Sequence, residues 1–195
     1  MKLLGLCTMV VAGTAMMLTV THHKAQADDD DDSDSAERIR VEQGFRIAPV
    51  SLTYNPDDRH MVGLGSYLVN AVGGCSDCHT QPSYTPKGNP FLGEKKQVNG
   101  AHYLGGGQIF GPFISRNLTP EHGLPGGRSY AEFKLILRTG IDLDHLHPKI
   151  SSLLQVMPWP TYQEMSDHDL RAIYEYLKAI PPATPGTILP VPPKT

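Results

Sequence analysis

Apolar positions recur at helical spacing in three stretches, and long unpatterned segments separate them. The first stretch opens at Asp57 or Asp58. Met61, Leu64, Leu68 and Val72 follow with Val69 beside them, and Gly73-Gly74 stops the run. Gly63 and Gly65 weaken this helix intrinsically, so Gly65 is expected to let another helix approach closely, with Tyr67 stacking at the crossing. The second stretch begins at Ser129, where Glu132 completes a capping-box pattern. Phe133, Ile136 and Leu137 form its stripe and Gly140 ends it. The third begins at Ser166 with Asp169 behind it, carries Leu170, Ile173, Tyr174 and Leu177, and stops at Pro181-Pro182.

The segments between are unusual. Thr80 to Gly127 is rich in glycine and proline and has little period. A loop of that length argues against a compact domain unless something other than the chain fills its middle. Phe91, Leu92, Tyr103, Leu104, Ile109, Phe110, Phe113 and Ile114 are available to pack on such a filling. Ile141 to Ser152 is loop again, with His145 and His147. In Met157-Pro158-Trp159-Pro160 the two prolines predict no helix and an extended Met157 and Trp159.

The start of the chain changes the picture of where it works. Lys2, the apolar run Leu3 to Val20 and the small-residue site Ala25-Gln26-Ala27 read as a secretory signal over residues 1–27. Cleavage there predicts an exported, periplasmic protein with no membrane span once the signal is gone. Residues 28–56 read as an acidic spacer and an extended arm: Asp28 to Ser35 is a self-repelling run, and Glu37 to Asn55 has prolines and no period. Residues 57–182 form the predicted domain and 183–195 a proline-rich tail. The 195-residue chain has a formal net charge of −3 and no basic stripe, which excludes a nucleic-acid partner.

Of the three cysteines, Cys7 leaves with the signal. The other two stand in Cys75-Ser76-Asp77-Cys78-His79, the attachment pattern of a c-type haem. Each thiol adds across one vinyl group of the porphyrin, and the two-residue gap matches the vinyl spacing. The next residue, His79, then lies under the iron and can donate a ring nitrogen. Two other readings compete. Half of a zinc site would need further cysteines, which the mature chain lacks. A thiol–disulfide pair would need a preceding strand and a βαβ pattern, and neither is present.

The chain resembles a class I c-type cytochrome, and more closely the monohaem cytochrome modules of periplasmic alcohol, aldehyde and sugar dehydrogenases. The residues that carry the likeness are Gly65 to Leu68, Gly74 to Thr80, Ser115 to Glu121, Phe133 to Gly140, Val156 to Pro160 and Met165 to Pro182. The resemblance implies an all-α, cytochrome c-like helical domain wrapped around one covalently bound haem c, with long Gly/Pro-rich loops. It implies that the first and last helices cross near Gly65 and Tyr174. It puts the sixth iron ligand, a methionine before proline, on Met157, with His102 and His145 as rivals from the loops. Met61 on a helix stripe and Met165 beside a cap have packing roles that suffice for them. Asn117 is a potential partner of a propionate. Arg128 stands where relatives usually have tryptophan, and could pair with a propionate or face solvent.

Three function classes remain. A haem iron with both axial positions filled carries single electrons and is not an enzyme by itself. Its partners would be redox proteins: a periplasmic dehydrogenase on one side, a terminal oxidase or another cytochrome on the other. An open sixth position would instead make a haem enzyme or a gas or redox sensor, and a zinc-stabilised module is the third class. No nucleophile motif, phosphate-binding glycine loop or HExxH helix appears.

Overall fold

The computed structural model describes residues 26–144 and 150–186. Helix α1 spans Gln26–Ile47. The stretch expected to be an extended arm is therefore helical as far as Ile47. The sequence shows no continuous stripe there, because among its described side chains α1 contributes only Val41 and Gly44 to the buried interior, with Phe45 packed against it. Acidic residues near an N-terminus favour a helix through its dipole, and docking onto the next helix supplies the rest.

A 3₁₀ turn, Pro56–Asp58, leads into α2, Arg59–Tyr67. Asn55 makes the cap, accepting a hydrogen bond from the Asp57 amide; Asp58 makes no side-chain cap bond. The helix then widens into a π turn, Leu68–Val72, closed by the Gly73 amide on the Leu68 carbonyl at 2.7 Å. Gly74, in the left-handed region, turns the chain into the short helix α3, Cys75–His79.

Residues 80–127 stay largely irregular, as expected. Their regular pieces are two 3₁₀ turns and two small hairpins, β1 Ile109–Phe110 with β2 Phe113–Ile114 and β3 Pro120–Glu121 with β4 Leu124–Pro125. Helix α4, Tyr130–Thr139, carries the full capping box of Ser129 and Glu132. Helix α5 is Trp159–Tyr162, and α6 is Asp167–Ala179, capped by the Ser166 hydroxyl on the Asp169 amide. Trp159 was expected to be extended. It opens α5 instead, because proline is tolerated in a first helical turn, where its missing N–H leaves no bond unmade.

The core lies between α1, α2 and α6 and reaches into the loop at Tyr103-Leu104. Val62, Leu64, Val69, Leu104 and Leu170 are essentially removed from solvent, each worth about 1.5–3 kcal/mol of burial. Gly65 is the contact point of α2 and α6: a methyl group there would lie 2.0 Å from the Ala172 carbonyl oxygen. The partner across this crossing is Tyr176, whose Cβ would be 2.7 Å away. Tyr174, the residue expected there, turns to α4 and stacks against Tyr130 and Phe133. Among the described residues the fold is all-α and cytochrome c-like, and no helix is long and apolar enough to cross a membrane.

Candidate functional site

Helix pitch accounts for the arrangement at α3. Residues three and four apart share one face, so Cys75, Cys78 and His79 are presented together by a helix just long enough to hold them. Both cysteines are free thiols. Burial pushes the Cys75 thiol up to about 12, with Cys78 and Asp77 adding to the effect. Burial first and Asp77 second also raise the Cys78 thiol. Both are protonated at neutral pH.

His79 is held from across the fold. Its Nδ1 lies 2.8 Å from the carbonyl oxygen of Arg116. A carbonyl only accepts, so Nδ1 carries the proton and Nε2 keeps its lone pair for a metal. Burial lowers the His79 pKa, and the Arg116 carbonyl partly offsets that. The approach depends on Gly106, at φ +77°, whose absent side chain leaves room for the backbone of Ser115 to Asn117. A Cβ at Gly106 would sit 2.6 Å from the Arg116 carbonyl carbon. The Gly106 amide also donates to the His79 carbonyl at 2.7 Å.

Arg116 is itself fixed. Its guanidinium pairs with the buried Asp142 at 2.7 Å and with Asp144. Arg128 pairs with Asp144 and Glu132, so it is engaged with carboxylates of its own chain. The Asn117 side chain is occupied as well: its amide donates to the Ala183 carbonyl at 2.8 Å, and its oxygen accepts from the Thr119 amide and hydroxyl.

A buried polar network lies close enough to Cys75 to feel its charge. The Tyr103 hydroxyl donates to Asn70 Oδ1 at 2.6 Å, and Asn70 Nδ2 donates to the Tyr176 hydroxyl at 3.1 Å and the Ser66 carbonyl at 3.0 Å. The π turn puts Asn70 at this junction. Burial raises the Tyr103 pKa well above its ordinary value, and Tyr176 and Cys75 add to the rise.

Met157 is half-buried in a bend ahead of α5. Its segment is pinned at both ends. Leu154 N–H donates to the Gly140 carbonyl at 2.7 Å, and Trp159 Nε1 donates to the Leu154 carbonyl at 3.1 Å. The Trp159 ring lies on Gly140, where a Cβ would be 2.2 Å from it. Beyond the bend, the Tyr162 hydroxyl donates to the Gly73 carbonyl at 3.2 Å, directly before the cysteine motif. Burial, then the nearby Cys75 and Cys78, push the Tyr162 phenol up to about 12. Met61 and Met165 pack against the core, whereas Met157 does not belong to it. His102 holds the Thr184 carbonyl through Nδ1 at 2.8 Å and lies against Gly186 on its other side. His145 and His147 lie outside the described residues.

The donor set fits a c-type haem. Two free thiols share a helix face, an imidazole presents Nε2, and exposed apolar side chains flank these groups: Val72 before Cys75, Ile114 near Arg116, and Leu153 and Val156 before Met157. Arg116, Tyr162 and Asn70 had no role in the sequence reading. Arg116 stands inside the Ser-Arg-Asn-Leu-Thr-Pro segment that carried the resemblance, which is the signal that pointed to it.

The all-α domain organised on a Cys-x-x-Cys-His helix supports a likeness to cytochrome c-type modules. No family model matches the chain. The chain is similar to the cytochrome c subunit of a quinone alcohol dehydrogenase from Gluconacetobacter polyoxogenes, 31% identical over 135 residues, covering 67% of this chain and 24% of that protein. It is also similar to the gluconate 2-dehydrogenase cytochrome c subunit of Pantoea cypripedii, 32% identical over 120 residues, 60% of this chain and 22% of that one. The cytochrome c subunit of the quinone alcohol dehydrogenase from Gluconobacter oxydans is 31% identical over 126 residues, 64% of this chain and 25% of that one. The chain spans about a quarter of the length of these relatives. Its helical domain resembles a cytochrome c module of dehydrogenases.

Proposed function

We propose that this chain is an exported, periplasmic c-type cytochrome that carries single electrons, with one haem c attached through Cys75 and Cys78 and its iron between His79 and Met157. It is not an enzyme by itself. It works free or docked to a dehydrogenase, and passes electrons to a terminal oxidase or another cytochrome. The observation that carries the reading is the geometry at α3: two thiols on one face beside an imidazole whose Nδ1 is committed to the Arg116 carbonyl. The relatives named above are cytochrome subunits of dehydrogenases, which supports the dehydrogenase partner.

Haem iron, when bound, supplies reversible one-electron oxidation and reduction. The chain's own residues decide what that iron is used for. Arg116 fixes the tautomer and the ring plane of His79, and buried surroundings keep that imidazole neutral. The bonds around Leu154, Trp159 and Tyr162 hold the Met157 segment beside the motif. A thioether there favours the reduced state more than a second imidazole would.

The test is Met157→Ala. The oxidised wild-type protein should show the weak near-infrared sulfur-to-iron charge-transfer band. The variant should lose it, gain affinity for an added ligand such as imidazole, and keep haem attached after denaturation. A band unchanged in Met157→Ala rules the methionine out. Carbon monoxide binding to the reduced wild type at neutral pH would favour an open sixth position, and with it a sensor or haem enzyme.

A further inference from the structure

A second constellation stands away from α3. Glu37 on α1, His60 in the first turn of α2 and His168 in the first turn of α6 bring one carboxylate and two imidazoles together, their ligand atoms within 4.8 Å of one another. His60 Nε2 is 3.4 Å and His168 Nε2 is 3.8 Å from the same oxygen, Glu37 Oε1. Ligands about 2.0–2.1 Å from a tetrahedral metal are roughly 3.3 Å apart, so the two measured edges need little adjustment. The imidazole rings are 6.5 Å apart between centroids, and both side chains are open to solvent on their outer side. An ion can therefore enter without unfolding anything.

We propose that Glu37, His60 and His168 bind one divalent transition-metal ion, with zinc as its probe, and that the ion clamps α1 to the two helices of the core. Two imidazoles and a carboxylate suit zinc, copper or nickel and disfavour magnesium or calcium, which take oxygen-only shells. A zinc ion completes its shell with water. The second oxygen of Glu37 faces Arg40 at 3.6 Å, which leaves Oε1 as the metal-facing atom. His168 Nδ1 is 3.9 Å from Asp169 Oδ1, beyond hydrogen-bond distance, so its Nε2 towards Glu37 is the ligating nitrogen. Asp57, Asp58, Asp167 and Asp169, in the turns that carry the two histidines, offset the positive helix ends there. The clamp has a structural consequence, because the three ligands come from three separate elements. Bound metal ties α1 down more firmly, and its removal leaves that helix held by packing, by the Ser66 hydroxyl on the Gly44 carbonyl and by the Arg59–Glu42 pair. The inference does not depend on the haem reading.

The experiment uses the haem-loaded, untagged protein and zinc chloride. Calorimetric titration should give one equivalent bound. The thermal midpoint should rise by about 5–10 °C once zinc reaches roughly a hundred times its dissociation constant. His60→Ala and His168→Ala should each weaken zinc binding at least tenfold while leaving the haem spectrum unchanged. His102→Ala should bind as the wild type does. Zinc binding that survives both His60→Ala and His168→Ala, or that is lost only when His145 and His147 are replaced together, overturns the assignment. So does a wild-type protein that binds no zinc.

Discussion

The crossing of α2 and α6 makes a quantitative prediction at Gly65. In Gly65→Ala the new methyl group would meet the Ala172 carbonyl oxygen at 2.0 Å, its carbon at 2.6 Å and Tyr176 Cβ at 2.7 Å. Two of these atoms belong to helix backbone and cannot rotate away. The helices must therefore part by about 1.4 Å to restore ordinary contact. Three effects compete. Alanine gains about 1 kcal/mol over glycine as a helix former. Overpacking costs typically 1–3 kcal/mol. Displacing Tyr176 also strains its bonds with Asn70 and Tyr103, at 3.1 and 3.0 Å, worth about 1 kcal/mol. The net loss is about 2 kcal/mol, or a fall of about 4–8 °C in Tm for a chain of this size. Thermal unfolding of the haem-loaded protein, followed by far-ultraviolet circular dichroism, measures it. Gly63→Ala is the comparison. Its nearest clashes, at 2.6 Å, are with the side chains of Val41 and Phe45, and its backbone clash, with the Val41 carbonyl oxygen at 2.9 Å, is far milder than the 2.0 Å contact at Gly65, so the fall should be smaller. A Gly65→Ala protein as stable as the wild type refutes the argument.

Tyr162→Phe removes the hydroxyl that ties α5 to the Gly73 carbonyl. The sulfur-to-iron band should weaken and imidazole should bind the oxidised protein more readily, while the fold is retained; an unchanged band and unchanged imidazole affinity would show that the Met157 segment does not depend on this bond. Glu132 accepts from the Ser129 hydroxyl and amide, which holds its carboxyl below the usual 4.5, with Arg128 helping. A depressed folded pKa means stability that is present above about 4.5 and lost as pH falls through the folded value. The destabilisation caused by Glu132→Ala, read from urea midpoints, should therefore be seen at pH 7 and should shrink as the pH falls below 4.5; a pH-independent difference contradicts it.

What the sequence made legible was local. The capping box at Ser129 and the cap at Ser166 each depend on residues within one turn, and the structure has them where the pattern puts them. What it hid depends on long-range contact. Helix α1 has a poor helix-forming acidic start and buries only a short strip, so no period announces it. The π turn at Leu68–Val72 brings Asn70 between Tyr103 and Tyr176, residues far along the chain. Nearly every residue of α6 from Leu170 to Leu177 is buried, so one stripe could not say whether Tyr174 or Tyr176 faces Gly65. The exchange has a simple cause: α6 serves α2 on one side and α4 on another.

The same distinction explains how the two proposed iron ligands are related. His79 and the cysteines are placed by helix pitch, but the orientation of the imidazole comes from the Arg116 carbonyl. That carbonyl is held because the Arg116 side chain grips Asp142. The Asp142 amide in turn donates to the Ser152 carbonyl at 2.9 Å, and Ile141 bridges Leu153 beside it. From Leu153 the chain runs through the bonded bend at Leu154 to Met157 and on to Tyr162, whose hydroxyl returns to Gly73 at the head of α3. The bonds thus form a closed circuit that joins the His79 side to the Met157 side without passing through the helical core. A change in this circuit, at Asp142 for example, should move both ligand segments together. A change in the core, at Gly65, should lower stability first.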